Sequence, residues 1–180
     1  LYPGIRLKIS NHSTPQAADA IKNGTADIAV VTTPTLPAAA IEEISVCKFC
    51  EAAVCGSAFS DLFKSKISFA ELLAHPIISL GPHTKSFELY SRFFAGEGLR
   101  YSPETEAATA DQILPMVKAD LGIGFVPRAF LDGVDGVSVI ETEKPLPERE
   151  IRILKRRDQP LGIAAKELER LILKQKGVFL

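Results

Sequence analysis

Strands and helices alternate along this chain, and the alternation starts afresh near residue 75, so the sequence predicts an α/β protein built as two lobes. Two further observations agree. Several apolar runs are short and rich in β-branched residues, as in strands covered on both faces. Of 180 residues 46% are hydrophobic, with no low-complexity linker, so ordered strands must join the lobes.

The elements follow in order. Ile5, Leu7 and Ile9 alternate with Arg6, Lys8 and Ser10, the period-two pattern of a strand with one buried face. Ser13-Thr14-Pro15 announces a helix, with a hydroxyl residue at the cap and proline at the first helical position, and Ala17, Ala18 and Ile21 give it a narrow apolar face that ends at Gly24. Asp27 to Val31 reads as a covered parallel strand, completing a βαβ unit. Apolar runs at Ile44 to Phe49 and Ala52 to Cys55 follow, then a short helix in which Ser68 and Glu71 have capping-box spacing, ended by His75-Pro76. The second series predicts a strand from Ile77 to Leu80, a turn at Gly81-Pro82-His83-Thr84, and a helix from Ser86 to Phe94. Next come a strand near Tyr101 to Ala107 and a helix from Asp111 to Lys118. Leu121 to Pro127 reads as a buried strand whose glycines permit close backbone approach. Strands at Val137 to Ile140 and Ile151 to Leu154 and an amphipathic helix from Ala164 to Lys174 close the chain.

Composition narrows the function. Twenty-one basic against 22 acidic residues give a formal net charge of -1, with no surplus to hold a phosphate backbone. The cluster Lys155-Arg156-Arg157 runs into Asp158 and reads as a solvated strand end. No window approaches the roughly 20 apolar residues of a membrane-spanning helix. Cys47, Cys50 and Cys55 are odd in number, which fits a reducing compartment, and read as small apolar residues on buried strands. Three histidines, one methionine and no tryptophan leave little material for catalysis. No Ser/His/Asp set, phosphate-cradling loop or metal-ligand spacing is present, and Gly122-x-Gly124 lies within a strand instead of opening a helix. The sequence therefore predicts neither an enzyme nor a cofactor.

Four blocks in order carry a resemblance over essentially the whole chain. They are Tyr2-Pro3-Gly4-Ile5-Arg6-Leu7, the hydroxyl-led helix, Asn23-Gly24-Thr25-Ala26-Asp27-Ile28-Ala29-Val30, and Val117 to Pro127. Together they resemble the effector-binding domain of LysR-type transcriptional regulators. The resemblance implies a periplasmic-binding-protein-like fold, with two Rossmann-like lobes joined by two crossing strands and a small effector in the cleft between them. Chain order then puts residues 1–74 and 150–180 in lobe I and 75–149 in lobe II. A winged helix-turn-helix outside this sequence, DNA binding only through that domain, a homodimer or tetramer, and a cytoplasmic location are implied likewise.

Residues at strand and helix ends form the expected effector site. The helix opening at Thr14 offers unpaired backbone N–H groups and a positive dipole end. Ser13 and Thr14 add hydroxyls and Gln16 an amide, although Thr14 could simply cap its own helix; family members use this hydroxyl pair for carboxylates or sulfate-like oxyanions. Where many members have glycine, this chain has His12, whose protonated form can pair an anion. His83, Thr84 and Lys85 form the expected facing wall, with helix capping and a solvated charge as the ordinary roles of the last two. Thr32, Thr33 and Thr109 lie near strand C-terminal ends, where open α/β sheets bind ligands. The expected function is to sense a small polar or anionic metabolite and so alter oligomer geometry. An exported solute-binding protein, marked by a secretion signal, and a prephenate dehydratase-like domain are the alternatives.

Overall fold

Helix α1 (Thr14–Lys22) is the first regular element of the computed structural model, which describes residues 2–174. Ser13 precedes it in extended conformation, and Gln16 folds back so that its Oε1 accepts from both the backbone N–H and the hydroxyl of Ser13. Ala17, Ala18 and Ile21 bury the predicted face. The alternating segment before the helix, however, forms no strand. Ile5, Leu7 and Ile9 remain 46%, 64% and 83% exposed, and no described strand pairs with them. Alternation specifies which side chains share a face but supplies no hydrogen-bonding neighbour.

The chain divides into two units. Unit 1 comprises Leu1–Lys48 and Glu150–Leu180, of which Leu1 and residues 175–180 lie outside the described residues. Its sheet contains β1 (Ala29–Thr32), β2 (Ile41–Phe49) and β8 (Arg149–Arg156) in the order β1-β8-β2. β1 runs antiparallel to β8, not parallel as expected, because the strand that would have completed the βαβ unit is missing and the returning chain takes its place. Ala17, Ile21, Val31, Ile41 and Leu154 form one apolar cluster. Val46, Cys47 and Ile153 form another, against which Ile172 and Leu173 of α5 (Ile163–Lys174) pack.

Unit 2 is Phe49–Arg149. Residues 49–74, expected with the first lobe, belong here because β3 (Glu51–Cys55) lies inside a five-stranded sheet. The order is β5-β4-β6-β3-β7, with β4 (Ile77–Leu80), β5 (Thr105–Ala107), β6 (Ile123–Pro127) and β7 (Ser138–Ile140). β4 is parallel to β5 and β6, whereas β3 is antiparallel to β6 and β7, so the sheet is mixed. Helix α2 (Phe69–Leu72) carries the predicted capping box, Ser68 Oγ accepting from Glu71 N–H at 3.2 Å and Glu71 Oε2 from Ser68 N–H at 2.8 Å.

Helix α3 (Lys85–Gly96) buries Tyr90 and Phe94 against Tyr101 and Phe125. Ring centroids lie 5.4 Å apart for Phe94 and Tyr101 and 4.7 Å for Tyr90 and Phe125. On the other face, α4 (Ile113–Lys118) packs Ile113 and Val117 over Val54, Ile78 and Val126. A Cβ on Gly124 would meet Ile113 Cγ2 at 2.6 Å, and one on Gly122, at φ +153, would meet the Pro76 carbonyl oxygen at 2.5 Å. The glycines of this strand therefore serve close approach, as their placement predicts.

Candidate functional site

In unit 1 the C-terminal end of β1 meets the start of α1. Thr14 Oγ1 donates to the Thr32 carbonyl at 3.5 Å, a long and weak bond. The first helical hydrogen bond runs from Ala17 N–H to the Ser13 carbonyl at 2.8 Å, so the N–H groups of Thr14 and Gln16 precede the helical ladder, and Pro15 has none to give. No acidic side chain occupies this first turn, and Lys22 sits in the last. The positive end of the helix is thus not neutralised by its own residues. Ser13, Thr14, Gln16 and Thr32 are together in one place. Thr33 next door is committed to the fold, since its Oγ1 accepts from Glu150 N–H and its own N–H donates to the Glu150 carbonyl, both at 2.9 Å.

In unit 2 the parallel strands β4 and β5 end side by side, Leu80 opposite Ala107, so the turn after one and Thr109 after the other share an edge of the sheet. Here the ordinary structural roles hold. Thr84 caps α3, its Oγ1 accepting from Phe87 N–H at 3.2 Å and donating to the Gly81 carbonyl at 2.8 Å. Lys85 pairs with Glu88, which also pairs with Arg92. The lysine's hydrogen bond holds the Glu88 carboxyl below the usual range. Thr109 opens a short 3-10 turn (Ala110–Gln112), where Gln112 Oε1 accepts the N–H groups of Ala108 and Thr109 at 2.9 and 3.3 Å. His83 is exposed.

Two features escaped the sequence. A pocket of 320 Å³ opens beside Leu80, Phe87, Tyr101 and Glu106, lined by none of the nine expected site residues. More unusual is a buried ion pair: Arg149 Nη1 donates to Glu51 Oε1 at 2.7 Å, the side chains being 6% and 2% exposed. Arg149 Nη2 also donates to Ser86 Oγ at 3.0 Å, and its guanidinium lies 5.7 Å from the Phe49 ring centroid. Burial pushes the Glu51 carboxyl above its ordinary range, and Arg149 pulls it partly back. The one available signal was a charged residue heading the apolar run Ala52 to Cys55.

The three thiols are free. Cys47 and Cys55 are buried as expected, but Cys50 is exposed between β2 and β3. Burial, and secondarily the charge of Asp120, pushes the Cys55 thiol up to about 11. Among the described residues no group of histidine, cysteine and acidic side chains is gathered to hold a metal ion, and no helix is long and apolar enough to cross a membrane.

The sequence profile of the LysR substrate binding domain matches residues 1–176, and the chain belongs to that family. It is therefore an effector-sensing regulatory domain of the LysR type, with the periplasmic-binding-protein-like type 2 fold. Solved structures of the same fold include the effector binding domain of QuiR in complex with shikimate, at 16% identity and TM-score 0.77, over 92% of this chain and 78% of that one. The regulatory domain of Synechocystis PCC6803 CcmR in complex with 2-PG matches at 12% identity and TM-score 0.81, over 98% and 86%. A full-length BenM mutant matches at 17% identity and TM-score 0.73, and there the chain spans 95% of its own length but 57% of the other. No curated protein sequence matches the chain.

Proposed function

We propose that this domain senses a small polar or anionic metabolite anchored at the start of α1, and that it acts as a regulator and not as an enzyme. The observation that carries the reading is the first turn of that helix. There the Thr14 N–H precedes the helical ladder at a dipole end with no acidic residue in its own first turn, beside the Ser13 and Thr14 hydroxyls, which would turn from Gln16 Oε1 and the Thr32 carbonyl to a ligand at the C-terminal end of β1. The QuiR domain with shikimate and the CcmR domain with 2-PG support a small-molecule effector. His83, Thr84, Lys85 and Thr109 are the second proposed group of contacts, with backbone and hydroxyls already partly engaged. Binding favours one domain arrangement over another by its differential affinity, and in a cytoplasmic homodimer or tetramer that shift repositions a winged helix-turn-helix domain on DNA. Membership of a regulator family favours this reading over solute transport or dehydratase chemistry.

Thermal unfolding against carboxylates, inorganic oxyanions, amino acids and aromatic acids tests it, in parallel with Thr14→Ala. A compound at 100 times its dissociation constant stabilises by about 2.7 kcal/mol. Thr14→Ala removes only a 3.5 Å hydrogen bond, so the variant folds and serves as a clean control. One compound class is expected to stabilise the parent and lose that effect in the variant. A panel without effect, or a shift that survives Thr14→Ala, defeats the assignment.

A further inference from the structure

The 320 Å³ pocket beside α3 lies wholly within unit 2, and none of the expected effector residues lines it. Leu80 at the end of β4 and Phe87 of α3 give it an apolar wall, while Arg100 and Ser102 before β5 and Thr105 and Glu106 within β5 give it a polar one. Small-molecule sites run from roughly 300 to 1,000 Å³, so this one suits a molecule of few heavy atoms.

Two opposite charges line this space, and the protein answers neither. Arg100 and Glu106 are exposed and, among the described residues, belong to no ion pair or side-chain hydrogen bond, with each other or with any other group. Elsewhere such groups are engaged. Arg92, Arg128, Arg149, Arg152, Arg156 and Arg170 each hold a carboxylate, and Glu104 accepts from the Ile77 N–H at 2.7 Å. The Glu106 carboxylate lies against Gly81, where an added Cβ would meet its Oε1 at 2.2 Å. Gly81 has no positive φ, so its lack of a side chain serves the room for that carboxylate and not the backbone angle.

We propose that this pocket is a second small-molecule site, for a free α-amino acid with an apolar side chain. The planar Arg100 fork takes the carboxylate, Glu106 takes the ammonium, and the side chain lies on Leu80 and Phe87. A molecule with only one of the two charges leaves the other protein group unanswered, which is the source of selectivity. The proposal stands independently of the effector reading at α1.

The experiment is an NMR titration of backbone amides on the whole chain with L-leucine, with isocaproate, which lacks the ammonium, and with isoamylamine, which lacks the carboxylate. Parent, Arg100→Gln and Glu106→Gln are compared. Both residues are exposed and unpaired, so neither variant removes a bond that holds the fold. Leucine is expected to move the Ser102, Thr105 and Glu106 amides, to leave those of Thr14 and Ala17 in place, and to bind each variant about tenfold more weakly. Each analogue should bind the parent about tenfold more weakly than leucine does. Leucine that moves none of the three amides, moves only Thr14 and Ala17, or binds both variants as well as the parent overturns the proposal, and so does an analogue that matches leucine. A leucine stabilisation kept in Thr14→Ala but lost in Glu106→Gln belongs to this pocket, and the effector reading is then judged on the other compounds of the panel.

Discussion

Removing one member of the Glu51 and Arg149 pair isolates a charge that has almost no water around it. With side chains 2% and 6% exposed, both groups lose their hydration on folding, and the bonds to each other and to Ser86 replace part of it. Glu51→Leu or Arg149→Met alone is expected to cost about 3–5 kcal/mol, whereas the double variant Glu51→Leu/Arg149→Met should return close to the parent. Each kcal/mol lost shifts the midpoint by about 4–8 °C in a domain of about 100 residues, so each single variant should melt more than about 10 °C lower. Near-ultraviolet circular dichroism follows unit 2 selectively, because the chain has no tryptophan and three tyrosines, of which Tyr90 and Tyr101 lie in that unit's core. A single variant within about 0.5 kcal/mol of the parent, the range of an ordinary surface change, would refute the burial argument. So would a double variant no better than the worse single one.

Other expectations concern packing, titration and thiol chemistry. Phe94→Ala empties a fully buried site among Phe69, Tyr101 and Phe125 and should cost about 3–5 kcal/mol, with Phe94→Leu clearly milder; equal losses in a denaturant titration would contradict the cavity argument. Glu167 is held down at about 2 by hydrogen bonds from Arg170 first and Tyr2 second. Because its folded value is depressed, its contribution is present above the unfolded value of 4.5 and is lost as pH falls toward about 2. Unfolding midpoints measured across that window should lose part of their slope in Arg170→Gln, and an unchanged slope would dismiss the contact. Maleimide at neutral pH should add once, quickly, at Cys50, since Cys47 and Cys55 are buried and burial raises both their thiols. Mass spectrometry of Cys50→Ala should show no fast adduct, and a fast second adduct would mean that a buried thiol is open.

Local signals were the ones that could be read in advance. Capping acts within three residues: α2 begins after Ser68 as predicted, α1 begins at Thr14 behind Ser13, one residue before the proline expected to open it, and α3 begins at Lys85 behind Thr84, one residue before the expected Ser86. Lys155 to Arg157 do end a strand as read, but they are engaged by the fold instead of being solvated, with Lys155 on Glu169, Arg156 on Asp158 and Arg157 Nη2 on the Ile41 carbonyl. Strand direction and partner are different in kind. An apolar run such as Ala52 to Cys55 looks the same whether its neighbours run parallel or antiparallel, and only the tertiary fold puts β3 between β6 and β7. The same limit applied to the site. Hydroxyl residues at helix starts were visible, but not that Thr33 is spoken for by Glu150 or that Arg149 finds Glu51 98 positions away.

Synthesis order turns the division of the chain into a timetable. Unit 2 is one unbroken stretch, Phe49–Arg149, and every strand of its sheet has left the ribosome once Ile140 has. Unit 1 has no such independence, because its middle strand β8 comes last. Until residues 149–156 emerge, β1 and β2 have no strand between them, and the N-terminal segment must wait while the later-made unit completes its core. A chain cut directly after Arg149 would therefore keep unit 2 whole, with its Glu51 and Arg149 pair, and carry an unfinished N-terminal body.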